Sequence, residues 1–370
     1  MNDLNLNYYA LIMAGGSGRR FWPESTKDHP KQYLNLAGEK TLLEDTLLRF
    51  EGLVESKRRF IVTVKEQESL AKKFSISKDL IGEKNLILEP LARNTAPCIF
   101  LSLVEIIRSG ASPKDLLVIV PSDHVILNSD AFKSDIKRAL QIAHDHSSIV
   151  TIGIKPTFPH TGYGYIKSSN SKSNSNRSYK VEEFKEKPNF EVAKDYISKG
   201  YFWNAGMFVA SVGTLMREFE THAPEIYRFY NSSSSSSFCS KKVSEEYQNM
   251  PSISVDCAIL EKSKCVDLIA ATFDWSDLGS WETLSDVCKD RDVKNGNYLV
   301  SNNQRFFVDD KSKDNIVRVN KERLVVLLGV KDLIVVDDGK SLVIMDKKST
   351  QEIKGVVEHL EKCEWGKEYI

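Results

Sequence analysis

The chain has 370 residues, 41% of them hydrophobic and 28% charged, with 51 Lys+Arg balanced by 51 Asp+Glu. That length accommodates about two domains of a globular protein. A net charge near zero excludes a chain built mainly to coat nucleic acid or an anionic membrane, and no apolar run reaches the roughly 20 residues of a membrane helix. The six cysteines (Cys98, Cys239, Cys257, Cys265, Cys288, Cys363) include no Cys-x-x-Cys pair, so free thiols in a reducing cytoplasm are expected and structural zinc is not. Met1–Asn7 carries neither a basic region nor an apolar signal core, so no leader is expected.

In chain order, the apolar run Tyr8–Ala14 reads as a buried parallel strand. It stops at Gly15-Gly-Ser-Gly18, followed by Arg19-Arg20-Phe-Trp-Pro23, with Lys31 further on. Glycines let successive N–H groups point at an anion, and arginines bring planar, multi-donor charge, so the first expectation is a phosphate-binding loop. The third glycine of a dinucleotide fingerprint is missing, and so is the Gly-Lys-Ser/Thr of a P-loop. Thr41–Phe50 has helical spacing, with Thr41 and Glu44 as a capping box. Arg59–Val64 reads as strand, Glu66–Phe74 as helix, Asn85–Pro90 as strand, Thr95–Ser109 as buried helix, Asp115–Val120 as strand, Ser129–His144 as helix and Ser148–Ile154 as strand. This alternation predicts an α/β fold: a Rossmann-like, doubly wound, mostly parallel sheet whose ligands sit beyond the strand ends.

From Lys155 the texture changes. Thr161–Ile166 and Tyr179–Phe184 alternate and flank a polar Ser/Asn-rich loop at 168–176, and a second serine run follows at 232–237. Short strand-like runs begin at Asn297, Arg305, Asn315, Leu324, Leu333 and Leu342, and a helix is expected near Thr350–Cys363. The domain reading is therefore a catalytic domain over 1–290 and a small all-β domain with a terminal helix over 291–370.

Several strand-end clusters could carry chemistry. Asp123, in Pro121-Ser-Asp-His124, is suited to Mg²⁺, which takes one or two protein carboxylates plus phosphate oxygens, but a turn or N-cap Asp is the alternative. Asp277, crowded by Trp275 and Trp281, offers a second carboxylate, with a helix-start Asp as the alternative. Glu186-Lys187 could read sugar hydroxyls and a phosphate, or be a surface charge pair. Asn204, inside Phe202–Phe208, needs a partner, either a sugar hydroxyl or a backbone group. Arg93, Asn94 and Thr95 stand together at a strand-to-helix turn, where Asn94 and Thr95 could contact a base edge or equally cap the next helix. There is no Ser-His-Asp arrangement and no metal-spaced His pair.

The motifs Ala14–Pro23, Pro30–Gln32, Glu89-Pro…Arg93–Pro97, Pro121–His124, Gly162–Ile166, Phe184–Pro188 and Trp203–Phe208, in this order and spacing, resemble mannose-1-phosphate guanylyltransferases (GDP-mannose pyrophosphorylases) of the bacterial type. The resemblance implies that Gly15, Gly16, Gly18 and Arg19 cradle GTP phosphates, with Lys31 on the triphosphate. It implies Asp123 and Asp277 as ligands of Mg²⁺, Arg93, Asn94 and Thr95 near guanine, and Gly164, Glu186, Lys187 and Asn204 around mannose 1-phosphate. It further implies a β-helix-like C-terminal domain used in homodimerisation, a cytoplasmic enzyme, no nucleic-acid or membrane partner, and no appended isomerase domain in a chain of this length. Alternative readings are uridylyl or thymidylyl transfer to glucose 1-phosphate and a non-catalytic nucleotide-sugar-binding subunit.

Overall fold

The computed structural model describes residues 6–16, 18–169, 178–233, 240–287, 292–293, 295–301, 306–319 and 323–370. Except for their first two residues, the predicted loops at 168–176 and 232–237 lie outside this set, as do Met1–Asn5, Ser17, Cys239, Cys288, Arg305 and the predicted domain seam at 290/291. Two compact units form, each from several stretches: unit 1 from Met1–Gly15, Thr46–Ser122 and Asn128–Asp274, and unit 2 from Gly16–Asp45, Asp123–Leu127 and Trp275–Ile370. The chain thus crosses from unit to unit within or beside the motifs singled out above.

In unit 1 the strands are β1 Tyr8–Met13, β2 Arg59–Val64, β3 Leu86–Glu89, β4 Leu116–Pro121, β5 Ile149–Ile154, β6 Tyr165–Ser168, β7 Ser178–Lys185, β8 Phe202–Ser211 and β9 Val266–Ala270. They form one sheet of order β3-β2-β1-β4-β8-β5-β9-β7-β6, in which β6 also pairs with β8. The strands β1, β2, β3, β4, β5, β6 and β9 run one way; β7 and β8 run the other. The Rossmann-like reading holds. Tyr9 and Leu11 pack with Ile99, Phe100 and Leu103 of the helix Thr95–Arg108. The alternate residues Ala10 and Ile12 are just as buried, so both faces of the sheet are covered. Each Leu or Ile so buried contributes about 1.5–3 kcal/mol.

The predicted strands and helices of this unit occur within a few residues of their expected bounds. The Thr41–Glu44 box is formed in unit 2: Thr41 N donates to Glu44 Oε2 (2.9 Å) and Glu44 N to Thr41 Oγ1 (3.2 Å). Two strands carried no readable pattern. One is β8, which runs antiparallel between β4 and β5. Gly206 has φ +66° and the pairing slips between Thr151 and Gly153, so alternation is broken. The other is β9, short and interrupted by buried Asp267, which accepts from Ser148 Oγ (2.6 Å) and Lys180 Nζ (3.0 Å).

In unit 2 the strands are β10 Asp292–Val293, β11 Asn297–Ser301, β12 Phe306–Val308, β13 Ile316–Val319, β14 Val325–Leu327, β15 Leu333–Asp337 and β16 Leu342–Asp346. β11, β13 and β15 stack in parallel, and β12 and β14 pair in parallel in a second sheet. The register Tyr298↔Ile316↔Ile334 repeats every 18 residues (316 − 298 and 334 − 316). β11, β13 and β15 are therefore successive coils of a β-helix-like stack, while β10 and β16 pair antiparallel with β11 and β15 at its two edges. An asparagine ladder marks one corner: Asn315 Nδ2 donates to Asn297 Oδ1 (2.8 Å), and Leu333 N to Asn315 Oδ1 (3.0 Å). The terminal helix is Ile353–Lys362. Phe21, Leu34, Leu278 and Trp281 share a core with Ile316, Ile334 and Ile353. Arg318 Nε bonds Glu24 Oε1 at 2.6 Å, both side chains buried.

Candidate active site

Two clusters of polar side chains form, one in each unit. In unit 2, Gly18 has φ +62°, and a Cβ there would lie 2.2 Å from Lys31 Cβ and 2.9 Å from Lys31 N. The glycine is required because the backbone of Lys31 passes against it. Gln32 Nε2 donates to Gly16 O (3.0 Å), which ties the glycine loop to the Pro30–Tyr33 turn. Lys31 itself is 6% exposed in its side chain, and its Nζ donates to Asp123 Oδ2 (2.9 Å) and to the Asp277 carbonyl oxygen (2.6 Å). One ammonium therefore pins both predicted carboxylate segments. Desolvation would raise the Asp123 carboxyl, but the Lys31 ammonium and His124 outweigh it and hold the group below its ordinary value, so it is ionised at neutral pH.

Leu278 sits at φ +44° and is fully buried, which anchors the turn that carries Asp277. The Asp277 carboxylate lies close over Gly279, where a Cβ would meet Oδ2 at 3.1 Å. Gly18, Arg19, Lys31, Asp123, Asp277 and Gly279 line a cavity of about 330 Å³, together with Arg20. Arg20 Nη1 donates to Gly279 O (3.4 Å), and Arg19 is ion-paired with Glu361 of the terminal helix (3.0 Å). Clustered cations facing two carboxylates make a site for a polyanion carried with a divalent cation. Among the described residues no three His, Cys, Asp or Glu gather as a metal cage. An all-oxygen pair that leaves the remaining positions to phosphate and water is what Mg²⁺ takes, so these residues fit it.

In unit 1, strand register assembles the second cluster. Tyr165 stands opposite Lys185 of β7 and Trp203 of β8, so Gly164, Glu186, Lys187 and Asn204 meet at the adjoining positions. Asn204 N donates to Gly164 O (2.8 Å) and Lys187 N to Tyr163 O (3.2 Å). A Cβ on Gly164 would lie 2.8 Å from Glu186 Oε2, and Lys187 Nζ bonds Glu186 Oε1 at 2.5 Å. Lys187 has φ +45°. The Asn204 amide is oriented on both sides: its Oδ1 accepts from Gly206 N (3.1 Å) and Thr151 Oγ1 (3.2 Å), and its Nδ2 donates to Asp256 Oδ1 (2.9 Å).

A nucleotidyl transferase family model matches residues 9–292, and a MannoseP isomerase/GMP-like beta-helix domain model matches residues 307–360. Mannose-1-phosphate guanylyltransferase 2 of Escherichia coli O157:H7 is 35% identical over 98% of this chain and 75% of that protein. The chain belongs to the mannose-1-phosphate guanylyltransferase family of nucleotidyl transferases. Another member, from Escherichia coli strain K12, is 33% identical over 95% of this chain and 73% of its own length. A solved structure named mannose-1-phosphate geranyltransferase, from Thermus thermophilus, has a TM-score of 0.84 at 33% identity and covers 96% of this chain and 100% of that one.

In this family member the polar turn after β3 is stitched into unit 1. Asn94, at φ +66°, is the N-cap of the helix, and its Oδ1 accepts from Thr95 N (2.8 Å). Thr95 is not the cap: it is the first helical residue, and its Oγ1 accepts from Val255 N (2.8 Å). Arg93 Nη2 donates to the Gln248 carbonyl, while its Nε is buried with no hydrogen-bond partner among the described residues. Gly15 faces Glu89, whose Oε2 would lie 3.4 Å from a Cβ there. Glu89 is buried and accepts from Tyr247 OH (2.5 Å); desolvation raises its carboxyl against that bond.

Two residues escape sequence reasoning. Lys354 lines the unit 2 cavity from the terminal helix, in a stretch read only as a closing helix. Asp256 opens a π-helical turn, Asp256–Leu260, a distortion frequent at functional sites but with no sequence signature here.

Proposed function

We propose that this chain transfers GMP from GTP to mannose 1-phosphate, giving GDP-mannose and pyrophosphate. The observation that carries the reading is the Lys31 bridge from Asp123 to the Asp277 segment inside a cation-rich cavity. The names of the relatives support the choice of substrates. A phosphate oxygen of mannose 1-phosphate attacks the α-phosphorus of GTP in line; a new P–O bond forms as the bond from the α-phosphorus to the bridging oxygen breaks, and pyrophosphate leaves with that electron pair. The nucleophile is already anionic, so no covalent enzyme intermediate is needed, and the chain's work is positioning and charge neutralisation.

Arg19, Arg20, Lys31 and Lys354 take up negative charge on the triphosphate, with Gly15, Gly16 and Gly18 giving the backbone close approach. Asp123 and Asp277 would hold Mg²⁺, which when bound neutralises phosphate charge. Lys187 meets the phosphate of the sugar substrate; Glu186 and Asn204 meet its hydroxyls, beside Gly164. The turn Arg93–Thr95 lies near guanine, where the buried Arg93 Nε, without a hydrogen-bond partner among the described residues, offers a donor. A homodimer would bury Phe307, Leu324, Val326 and Leu328, large side chains exposed along β12 and β14. Stereochemistry tests the single displacement: GTP chiral at an α-thiophosphate should give the corresponding thio analogue of GDP-mannose with inverted configuration at that phosphorus, and retention would mean a covalent intermediate.

A further inference from the structure

One acidic side chain in unit 1 is unused by that scheme yet touches its machinery. Asp256 opens the π-helical turn and is half-buried, and its Oδ1 takes the Asn204 Nδ2 hydrogen at 2.9 Å. The Asn204 amide cannot turn away, because its oxygen is occupied by Gly206 N and Thr151 Oγ1. The charged groups felt at Asp256 are Glu186, which repels its charge, and Lys187, which attracts it, both from the turn after β7, with Asn204 from β8. On its own turn, Cys257 Sγ is directed to Glu261 (3.8 Å). Three polar side chains and an ammonium thus converge where strand register has also placed Gly164.

A carboxylate has acceptor capacity for about four hydrogens, and the bonds from Asn204 and from its own backbone N–H use two, which leaves room for a hydroxyl. A hexose presents hydroxyl donors, and a half-buried carboxylate beside a second carboxylate gains from such a donor. We infer that Asp256 is a further sugar-binding residue, its carboxylate accepting a hydroxyl of the hexose 1-phosphate while the Asn204 amide holds it in place. This rests on the unit 1 cluster being the sugar-phosphate site. Desolvation and the neighbouring Glu186 push Asp256 up to about 6. The side chain is therefore ionised at neutral pH and loses an acceptor site as the pH falls through that value.

The test uses the full-length chain, saturating GTP, and whichever hexose 1-phosphate the wild type turns over. Asp256→Asn keeps an oxygen for Asn204, and Asp256→Ala does not. Both variants should raise KM for the sugar phosphate about 10- to 100-fold at pH 8, the loss expected for one hydrogen bond to a charged group, with KM for GTP unchanged. The substrate's phosphate also titrates near pH 6, so the informative quantity is the ratio of wild-type to Asp256→Asn kcat/KM, in which that titration cancels. The ratio should fall towards 1 as the pH drops from 8 to 5. A KM for Asp256→Asn equal to the wild-type value, or a ratio that does not change with pH, would overturn the inference and leave Asp256 as a prop for Asn204. A wild-type chain that uses glucose 1-phosphate would refute the mannose reading and still permit this test.

Discussion

Gly18→Ala should damage the chain through Lys31 and not through lost flexibility. The new Cβ would lie 2.2 Å from Lys31 Cβ and 2.9 Å from Lys31 N, at a residue with φ +62°. Ordinary carbon–carbon contact begins near 3.5 Å, so one segment must shift by about 1 Å or more. The left-handed backbone adds about 1–2 kcal/mol and the overpacking about 1–3 kcal/mol. Displacement on that scale, in the residue that pins Asp123 and Asp277, should lower kcat about 10²-fold. Gly16→Ala is the matched control: nothing lies within 4 Å of its Cβ. It should melt within about 0.5 kcal/mol of wild type, with any loss confined to KM for GTP. Pyrophosphate release and thermal melting on the two variants check this. A Gly18→Ala chain with wild-type kcat and melting midpoint would refute the steric argument.

Arg318→Met should cost about 3–5 kcal/mol in denaturant unfolding, because it leaves the Glu24 charge buried; adding Glu24→Gln should recover most of the loss. Asp256 is raised from 3.8 to about 6, so its protonated form is favoured by folding. The associated stability is complete below about pH 4 and lost as the pH rises through 6. Asp256→Asn should therefore be more stable than wild type at pH 7.5, by at most about 3 kcal/mol, with the difference gone by pH 4 in urea titrations. Lys354→Ala should raise KM for GTP about 10-fold and leave KM for the sugar phosphate unchanged, as steady-state kinetics would show.

The candidate site motifs were legible because phosphate chemistry needs particular residue types at strand ends, and strand ends can be read from apolar runs that stop. Asp123 was marked this way and Lys31 by the Pro30-Lys-Gln32 motif of the family it resembles, although their contact spans 92 positions. Fold class followed from the same alternation of elements. What stayed hidden depended on tertiary register. β8 runs against its neighbours with a bulge and a left-handed glycine, so its sequence has no period of two. Asp256 is aimed at Asn204 by a π-turn, and Lys354 reaches the cavity from the terminal helix; neither fact leaves a local pattern. Thr95 shows the converse: a residue of capping type gave up that role to Asn94 and bonded Val255 N.

Specificity is the most direct test of the central claim. Pyrophosphate release should be measured for the purified chain with Mg²⁺ over GTP, UTP, dTTP and ATP, each paired with mannose 1-phosphate and glucose 1-phosphate. The account predicts that GTP with mannose 1-phosphate has the highest kcat/KM and yields GDP-mannose. A preference for UTP or dTTP with glucose 1-phosphate, or no release with any pair, would contradict it.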